Sequence, residues 1–349
     1  MREGKPPSAA PDAGDHSPAS GGGRSTGAVV GAPGPGDAPN TLSTSRYLAW
    51  LYSQAPQQHV LALLCEIETE IASSLRSGID HQVAHARLQW WSEESERCAQ
   101  GRPAHPLTRE LVKASGDPSR LAGIKGFVDA AVWDLAGATF ETRKELTAYC
   151  ERWATAMFET AAAEAQGPSN VTPAAAAAGR RSDSTAGAGR EAANATDTGV
   201  GLSTAARVRG LGAAVRELEL LENLAREAHL GRLRVPLDEL ERAGVDIRSL
   251  AKLPWAAGLR TLLSRRHEAL RAIIRDSIGA LGREEQPRLR GLLVWAALAS
   301  RQSMRVQRAL PNAVQPRRYD ALADGWQAWR AARRATAGKL RLRGSPSGS

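Results

Sequence analysis

Carboxylates at helical spacing are the side chains of this sequence best suited to chemistry. Leu211 to Leu240 reads LGAAVRELELLENLAREAHLGRLRVPLDEL. Its first part predicts a helix whose polar face carries Glu219, Glu222, Asn223, Arg226 and Glu227, followed by Gly231-Arg232 and Val235-Pro236. Asn223 and Glu227 stand one turn apart, a spacing at which two oxygen ligands can share a divalent cation. Arg226 beside them would repel that cation, or would itself neutralise a bound phosphate. A second acidic run, Glu66, Glu68 and Glu70, is expected on the solvated face of another helix, opposite Val60, Leu61, Leu64, Ile67 and Ile71. Asp129 and Asp134 lie five apart on a third helix, so they are not close neighbours on one face.

Other chemistries find less in the sequence. His81 and His85 are one turn apart, as two zinc ligands would be, but no third acidic ligand and no HExxH accompany them. There is no P-loop and no GxGxxG. Cys65, Cys98 and Cys150 are odd in number, far apart and set in apolar helical patterns, which predicts buried thiols in a reducing compartment. The net charge is +9, and Arg333, Arg334, Lys339, Arg341 and Arg343 concentrate much of the excess at one end. That end suits weak contact with an anionic membrane surface. Nucleic acid is not an expected partner, because the aromatics sit at core spacings and no recognition motif appears. No apolar run approaches the roughly 18 residues that a membrane span needs, and no signal peptide is read at Met1. The expected location is cytoplasmic, with peripheral membrane contact a further expectation.

These residues need a scaffold, and its pattern is helical. Ala, Leu, Arg and Glu recur at spacings of three and four, while β-type alternation never persists. Helices are predicted near 45–53, 58–75, 81–99, 106–114, 119–137, 140–165, 204–230, after Pro236, 255–281 and 287–310, with a last one holding Leu322, Trp326 and Trp329. The expected fold is all-α, a multi-helix bundle of more than four helices around one core. Residues 1–44 and 166–203, rich in Gly, Pro, Ala and Ser, are expected to be disordered, the second as an insertion. One domain over 45–335 is left, followed by a basic tail over 336–349.

The order of the blocks resembles the squalene/phytoene synthase family. Leu211-Gly212, Gly231-Arg232 and Pro236 fall where that family's second signature has Leu-Gly, Gly-Arg and Pro around a DxxED motif. Arg87 with the WWSEE run, then GRPAHPL, resembles its Trp-containing helix and His-Pro turn. The stretch LAGIKGFVDAAVWDLAGATFETRKELTAYCERWA resembles the block before the insertion. The resemblance implies an isoprenoid synthase bundle around a central cavity. In such proteins Asp-rich helices hold Mg²⁺, which holds a diphosphate leaving group. It also implies candidate cavity or diphosphate-binding residues Glu70, Arg87, Asp134, Tyr149, Glu219, Asn223, Arg226, Glu227 and Arg232, with Asn223 and Glu227 as metal ligands. The Asp-rich motifs themselves are eroded. Thr69-Glu70-Ile71-Ala72-Ser73 stands in place of DDxxD, and Asn223-Leu224-Ala225-Arg226-Glu227 in place of DxxED. Two readings follow. One is a catalytically degenerate member that keeps a prenyl-diphosphate or lipid cavity, or acts with a protein partner, and is similar to the branch that includes mitochondrial complex I assembly factors. The other is an active prenyltransferase that joins two prenyl diphosphates head to head at an altered Mg²⁺ site.

Overall fold

A computed structural model describes residues 43–76, 78–165, 203–251, 254–310 and 320–342. Among them every regular element is helical and no strand occurs. The expected disorder of 1–44 and 166–203 falls almost wholly outside the described residues, as do Pro311, Pro316 and Tyr319.

The chain runs through α1 (Thr44–Tyr52), α2 (Ala55–Ser73), α3 (His81–Ala99), α4 (Pro106–Ser115), a 3₁₀ turn (Pro118–Ile124), α5 (Lys125–Leu135) and α6 (Arg143–Ala154). A π-turn (Thr155–Glu159) leads into α7 (Thr160–Glu164). Beyond the second expected disordered segment come α8 (Thr204–Glu222), α9 (Leu224–His229), α10 (Leu237–Arg242), α11 (Ala257–Ala280), α12 (Glu285–Arg288), α13 (Arg290–Ala309) and α14 (Ala321–Thr336). Helix α8 is the axis of the bundle and packs against α6, α11 and α13. It buries Val208, Leu211, Ala214, Val215, Leu218 and Leu221 over most of its circumference, as a helix surrounded by others must.

The Leu-Gly pair of the opening stretch has a packing reason. A Cβ at Gly212 would lie 2.6 Å from Phe158 Cγ and 2.9 Å from the Ala154 Cβ, so only glycine lets α8 approach α6 and the π-turn this closely. The π-turn interrupts a segment whose pattern predicts one helix from 140 to 165. Its extra residue widens the turn, and the Thr160 hydroxyl donates to the Thr155 carbonyl at 3.3 Å. Phe158 thereby reaches Trp295 of α13, with ring centroids 5.1 Å apart.

The Trp-containing helix and His-Pro turn are joined by one buried carboxylate. Glu94 Oε1 accepts from the backbone N–H of Ala104 at 2.8 Å and of His105 at 2.9 Å, and from the Thr108 hydroxyl. Burial works against this carboxyl's charge, but those bonds and Arg97 hold its pKa below the ordinary value. Glu94 therefore anchors the entry to α4 and ties the WWSEE helix to the His-Pro turn.

Three expectations need correction. The helix predicted over 119–137 begins as a 3₁₀ turn and is α-helical only from Lys125 to Leu135. The helix predicted over 204–230 breaks at Asn223, whose side-chain amide donates to the Glu219 carbonyl at 2.9 Å while its own N–H turns to Leu220. The tail predicted from 336 packs against the bundle at its start: Leu340 is 2% exposed, and its N–H donates to the buried Gln286 Oε1 at 2.8 Å. Cys65, Cys98 and Cys150 are all buried and free, and burial pushes the thiols of Cys65 and Cys98 up to about 12.

Two measurements test this packing. Gly212→Ala is expected to destabilise the protein by about 1–3 kcal/mol through overpacking against Phe158, read as a lower urea midpoint at unchanged m-value. A colourless-to-coloured thiol reagent should label none of the three cysteines until the protein is unfolded.

Candidate functional site

A cavity of about 740 Å³ opens between α1, α2, α5, α8, α9, α11 and α13. Its wall carries six arginines (Arg46, Arg76, Arg216, Arg226, Arg232, Arg234) against four carboxylates (Asp134, Glu219, Glu222, Glu227).

At the inner end two carboxylates and two guanidinium groups form a closed box. Arg46 of α1 lies 2.5 Å from Glu68 Oε2 and 3.4 Å from Glu219 Oε2. Arg216 of α8 lies 3.7 Å from Glu68 Oε1 and 3.5 Å from Glu219 Oε2. Two indoles complete it: Trp153 Nε1 donates to Glu68 at 2.7 Å and Trp295 Nε1 to Glu219 at 3.1 Å. Both cations also sit over aromatic faces, Arg46 at 5.7 Å from Trp153 and 5.2 Å from Trp295, and Arg216 at 5.0 Å from Trp153. Burial raises the Glu68 pKa, but Arg46 and Arg216, with the hydrogen bonds from Arg46 and Trp153, outweigh it and hold the carboxyl below its ordinary value. Burial likewise disfavours charge on Arg46, yet Glu68 and Glu219 keep its pKa well above the ordinary one.

A second cluster lies beside the first. Arg234, 3% exposed, donates to Asp134 Oδ1 at 2.7 Å and to Glu227 Oε2 at 3.0 Å. Tyr149 donates to Asp134 Oδ2 at 3.2 Å, and its ring lies 5.4 Å beneath the Arg234 guanidinium. Gly231 reverses the chain with φ of +76°, a conformation that glycine adopts without strain. That reversal folds Arg232 and Arg234 back onto α9, so Glu227 has Arg226 and Arg232 each at 3.7 Å besides Arg234. Exposure falls from 62% at Arg226 through 24% at Arg232 to 3% at Arg234, a ladder of cations from rim to floor. On the α11–α13 wall, His267 is neutral near pH 7, its pKa lowered to about 4 by burial and then by Arg271. Its Nδ1 lies 2.9 Å from Ser303 Oγ.

The structure brings Asp134, Glu219, Asn223, Arg226, Glu227 and Arg232 to the wall, with Tyr149 one layer behind. It does not bring Glu70 or Arg87. Glu70 is exposed on the outside of α2, and Arg87 is exposed on α3, where it donates to Ser73 Oγ at 3.3 Å. Glu68 turns inward instead. Residues two apart on a helix point about 200° apart, so Glu66, Glu68 and Glu70 cannot share one face. Glu68 follows Leu64 by four and precedes Ile71 by three, which puts it in the buried stripe. That offset was the available signal. Arg216 had one too, in the polar series 216 and 219 on α8 continued by 223 at its end. Arg46 had none, because Glu68 and Glu219 come from distant elements, and neither did the pairing of Arg234 with Asp134 a hundred residues earlier.

The donor set does not fit a magnesium cluster. Glu68, Glu219, Glu227 and Asp134 each already lie in an arginine ion pair. Asn223, offered by sequence as a metal ligand with Glu227, donates its amide N–H to the Glu219 backbone carbonyl. Among the described residues no group of three His, Cys, Asp or Glu side chains is arranged to hold a metal.

A helical bundle built around a charged central cavity defines the isoprenoid synthase class of fold. The chain belongs to the squalene/phytoene synthase family, whose model matches residues 40–327. Among solved structures it is similar to a dehydrosqualene synthase crystallised in complex with a ligand, at 14% identity and a TM-score of 0.59, over 84% of this chain and 90% of that one. It is also similar to squalene synthase HpnC from Alicyclobacillus acidocaldarius, at 15% identity and 0.52, over 76% and 89%. At such identities the likeness speaks for the fold. No curated protein matches the chain in sequence.

The box makes a pH-dependent prediction. Arg46→Ala is expected to cost up to about 3–5 kcal/mol at neutral pH, because it leaves Arg216 alone to neutralise two partly buried carboxylates. Glu68→Gln should lower the Tm at pH 7, where the wild-type carboxylate is charged. Since the folded pKa of Glu68 lies below its unfolded value, its contribution is present above the unfolded pKa of about 4 and is lost as pH falls through the folded value. The Tm gap between wild type and Glu68→Gln should therefore close on acidification.

Proposed function

We propose that this protein is a catalytically degenerate squalene/phytoene synthase-like member, whose cavity binds the head of a prenyl diphosphate or similar anionic lipid through arginine in place of Mg²⁺. The observation that carries the reading is the pairing of Glu68, Glu219, Glu227 and Asp134 with arginines. In a metal-dependent reaction such carboxylates must be free to offset several divalent cations. Here guanidinium groups supply that charge permanently. A diphosphate fits the remaining imbalance of the wall, where Arg226 and Arg232 crowd a single carboxylate already held by Arg234. Leu75, Leu230 and Val306 give an apolar tail a partial wall. The ligand-bound state of the similar dehydrosqualene synthase supports a ligand role for the cavity.

Location follows from the ligand class. Among the described residues no helix is long and apolar enough to cross a membrane. We place the protein in the cytoplasm, with peripheral access to membrane as the source of a prenyl or lipid ligand. A protein partner, as in an assembly role, is the form the same reading takes if the cavity proves closed to ligands.

Thermal unfolding with farnesyl diphosphate tests this. Saturating ligand should raise the Tm by a few degrees equally in EDTA and in Mg²⁺, and Arg232→Gln should remove most of the rise. Release of pyrophosphate from farnesyl diphosphate in Mg²⁺, above a heat-killed control, would instead establish the prenyltransferase. No shift in either buffer, with a co-purifying protein, would point to assembly.

A further inference from the structure

Helix α14 inverts the usual division between core and surface. Its inner face buries Ala328, Ala331, Ala332 and Ala335 against α13 and α1. Its outer face presents Leu322, Trp326 and Trp329, which are 87%, 57% and 39% exposed. These three follow at i, i+4 and i+7, so they form one stripe along the helix. The two indoles stack with centroids 4.7 Å apart. Arg333 continues the stripe by one more turn, with its guanidinium 5.4 Å over the Trp329 ring. Arg330 and Arg334 flank it and are exposed, and Lys339 and Arg341 follow beyond the helix.

The helix is firmly seated. Asp324 on its inner face is 4% exposed and accepts from Arg301 at 3.0 Å and from Arg305 at 2.6 Å. Its outward face is therefore a fixed surface. Tryptophan is costly to leave in water and is at ease where one side is apolar and the other wet. Cations one turn away can extend to a polar layer while their stems lie on the apolar one. Aromatic and aliphatic side chains on one face, followed by a basic cluster, are the features of a helix that lies in the surface of an anionic bilayer.

We infer that the outer face of α14, with Leu322, Trp326 and Trp329 inserted and Arg330, Arg333 and Arg334 at headgroup level, docks this protein on anionic membrane. Charge complementarity selects this occupant. A second copy would bring the same arginines face to face in a chain that already carries +9. Residues 1–44 and 166–203 hold few large apolar side chains with which to cover the stripe. The inference is independent of the cavity ligand, and it places the contact on a folded helix instead of on the basic terminal residues alone.

The test is co-sedimentation of the full chain with large unilamellar vesicles. Wild type should bind vesicles containing about one-third phosphatidylserine at least about tenfold more tightly than pure phosphatidylcholine, with the advantage falling at high salt. Tryptophan emission should shift to the blue on binding. The double variant Trp326→Gln/Trp329→Gln should lose about tenfold in vesicle affinity while keeping the wild-type melting temperature and circular dichroism, because both side chains are exposed. Cavity uptake of lipid would not respond to that variant. Failure of the wild type to sediment with anionic vesicles would overturn the inference, as would a double variant that binds like wild type. So would ultracentrifugation showing a wild-type dimer that the same substitutions dissolve.

Discussion

The centre of this bundle depends on the neutralisation of carboxylates by arginine. Glu68 from α2 and Glu219 from α8 face the same space, and neither could remain charged there alone. Arg46 and Arg216 supply the opposite charge, and Trp153 and Trp295 supply both hydrogen bonds and the faces on which the cations rest. The box ties α1, α2, α6, α8 and α13 at one point. It makes the short first helix part of the interior, since α1 brings Arg46. It also fixes the electrostatics of everything nearer the cavity mouth.

The second cluster works by the same rule with different chain logic. The box is assembled from separate helices, whereas the arginine ladder comes from one short segment. The left-handed turn at Gly231 sends the chain back over α9 and sets Arg232 and Arg234 beside Glu227. Asp134 and Tyr149 receive the innermost guanidinium from below. A family that ordinarily relies on acidic motifs thus has, in this member, a cavity whose charge is organised by cations.

The outer surface shows a related economy. Small residues on the inner side of α14 allow it to sit close to α13, and the large apolar side chains go outward. A helix seated by the Asp324 ion pairs can leave its aromatic face unpartnered without loss of position. Cavity and surface stripe are both built on the sides of α13, so the same helix supports the interior site and the exterior one.

Helix periodicity, caps and punctuation are local properties, and they were legible in the sequence. The all-α class, the extent of α3 over His81–Ala99, the Pro236 entry to α10 and the burial of the cysteines all followed from near neighbours in the chain. Gly231 and Pro236 were legible for the same reason, because a left-handed turn and a helix entry are local steric demands, whereas Gly212 answers packing against Phe158 and Ala154 of another element. Part of the site could be read too: Asp134, Glu219, Asn223, Arg226, Glu227 and Arg232 do meet at one cavity. Glu68 faces inward, as its helical offset requires and against the solvated face expected for it, while Glu70, which occupies the motif register, lies on the outside of α2. What only the tertiary structure decided was partnership. No spacing rule connects Arg46 to Glu68 and Glu219, or Arg234 to Asp134 a hundred residues earlier. A carboxylate's readiness to hold a metal depends on which cation already stands beside it, and that neighbour is brought by packing between helices remote in the chain.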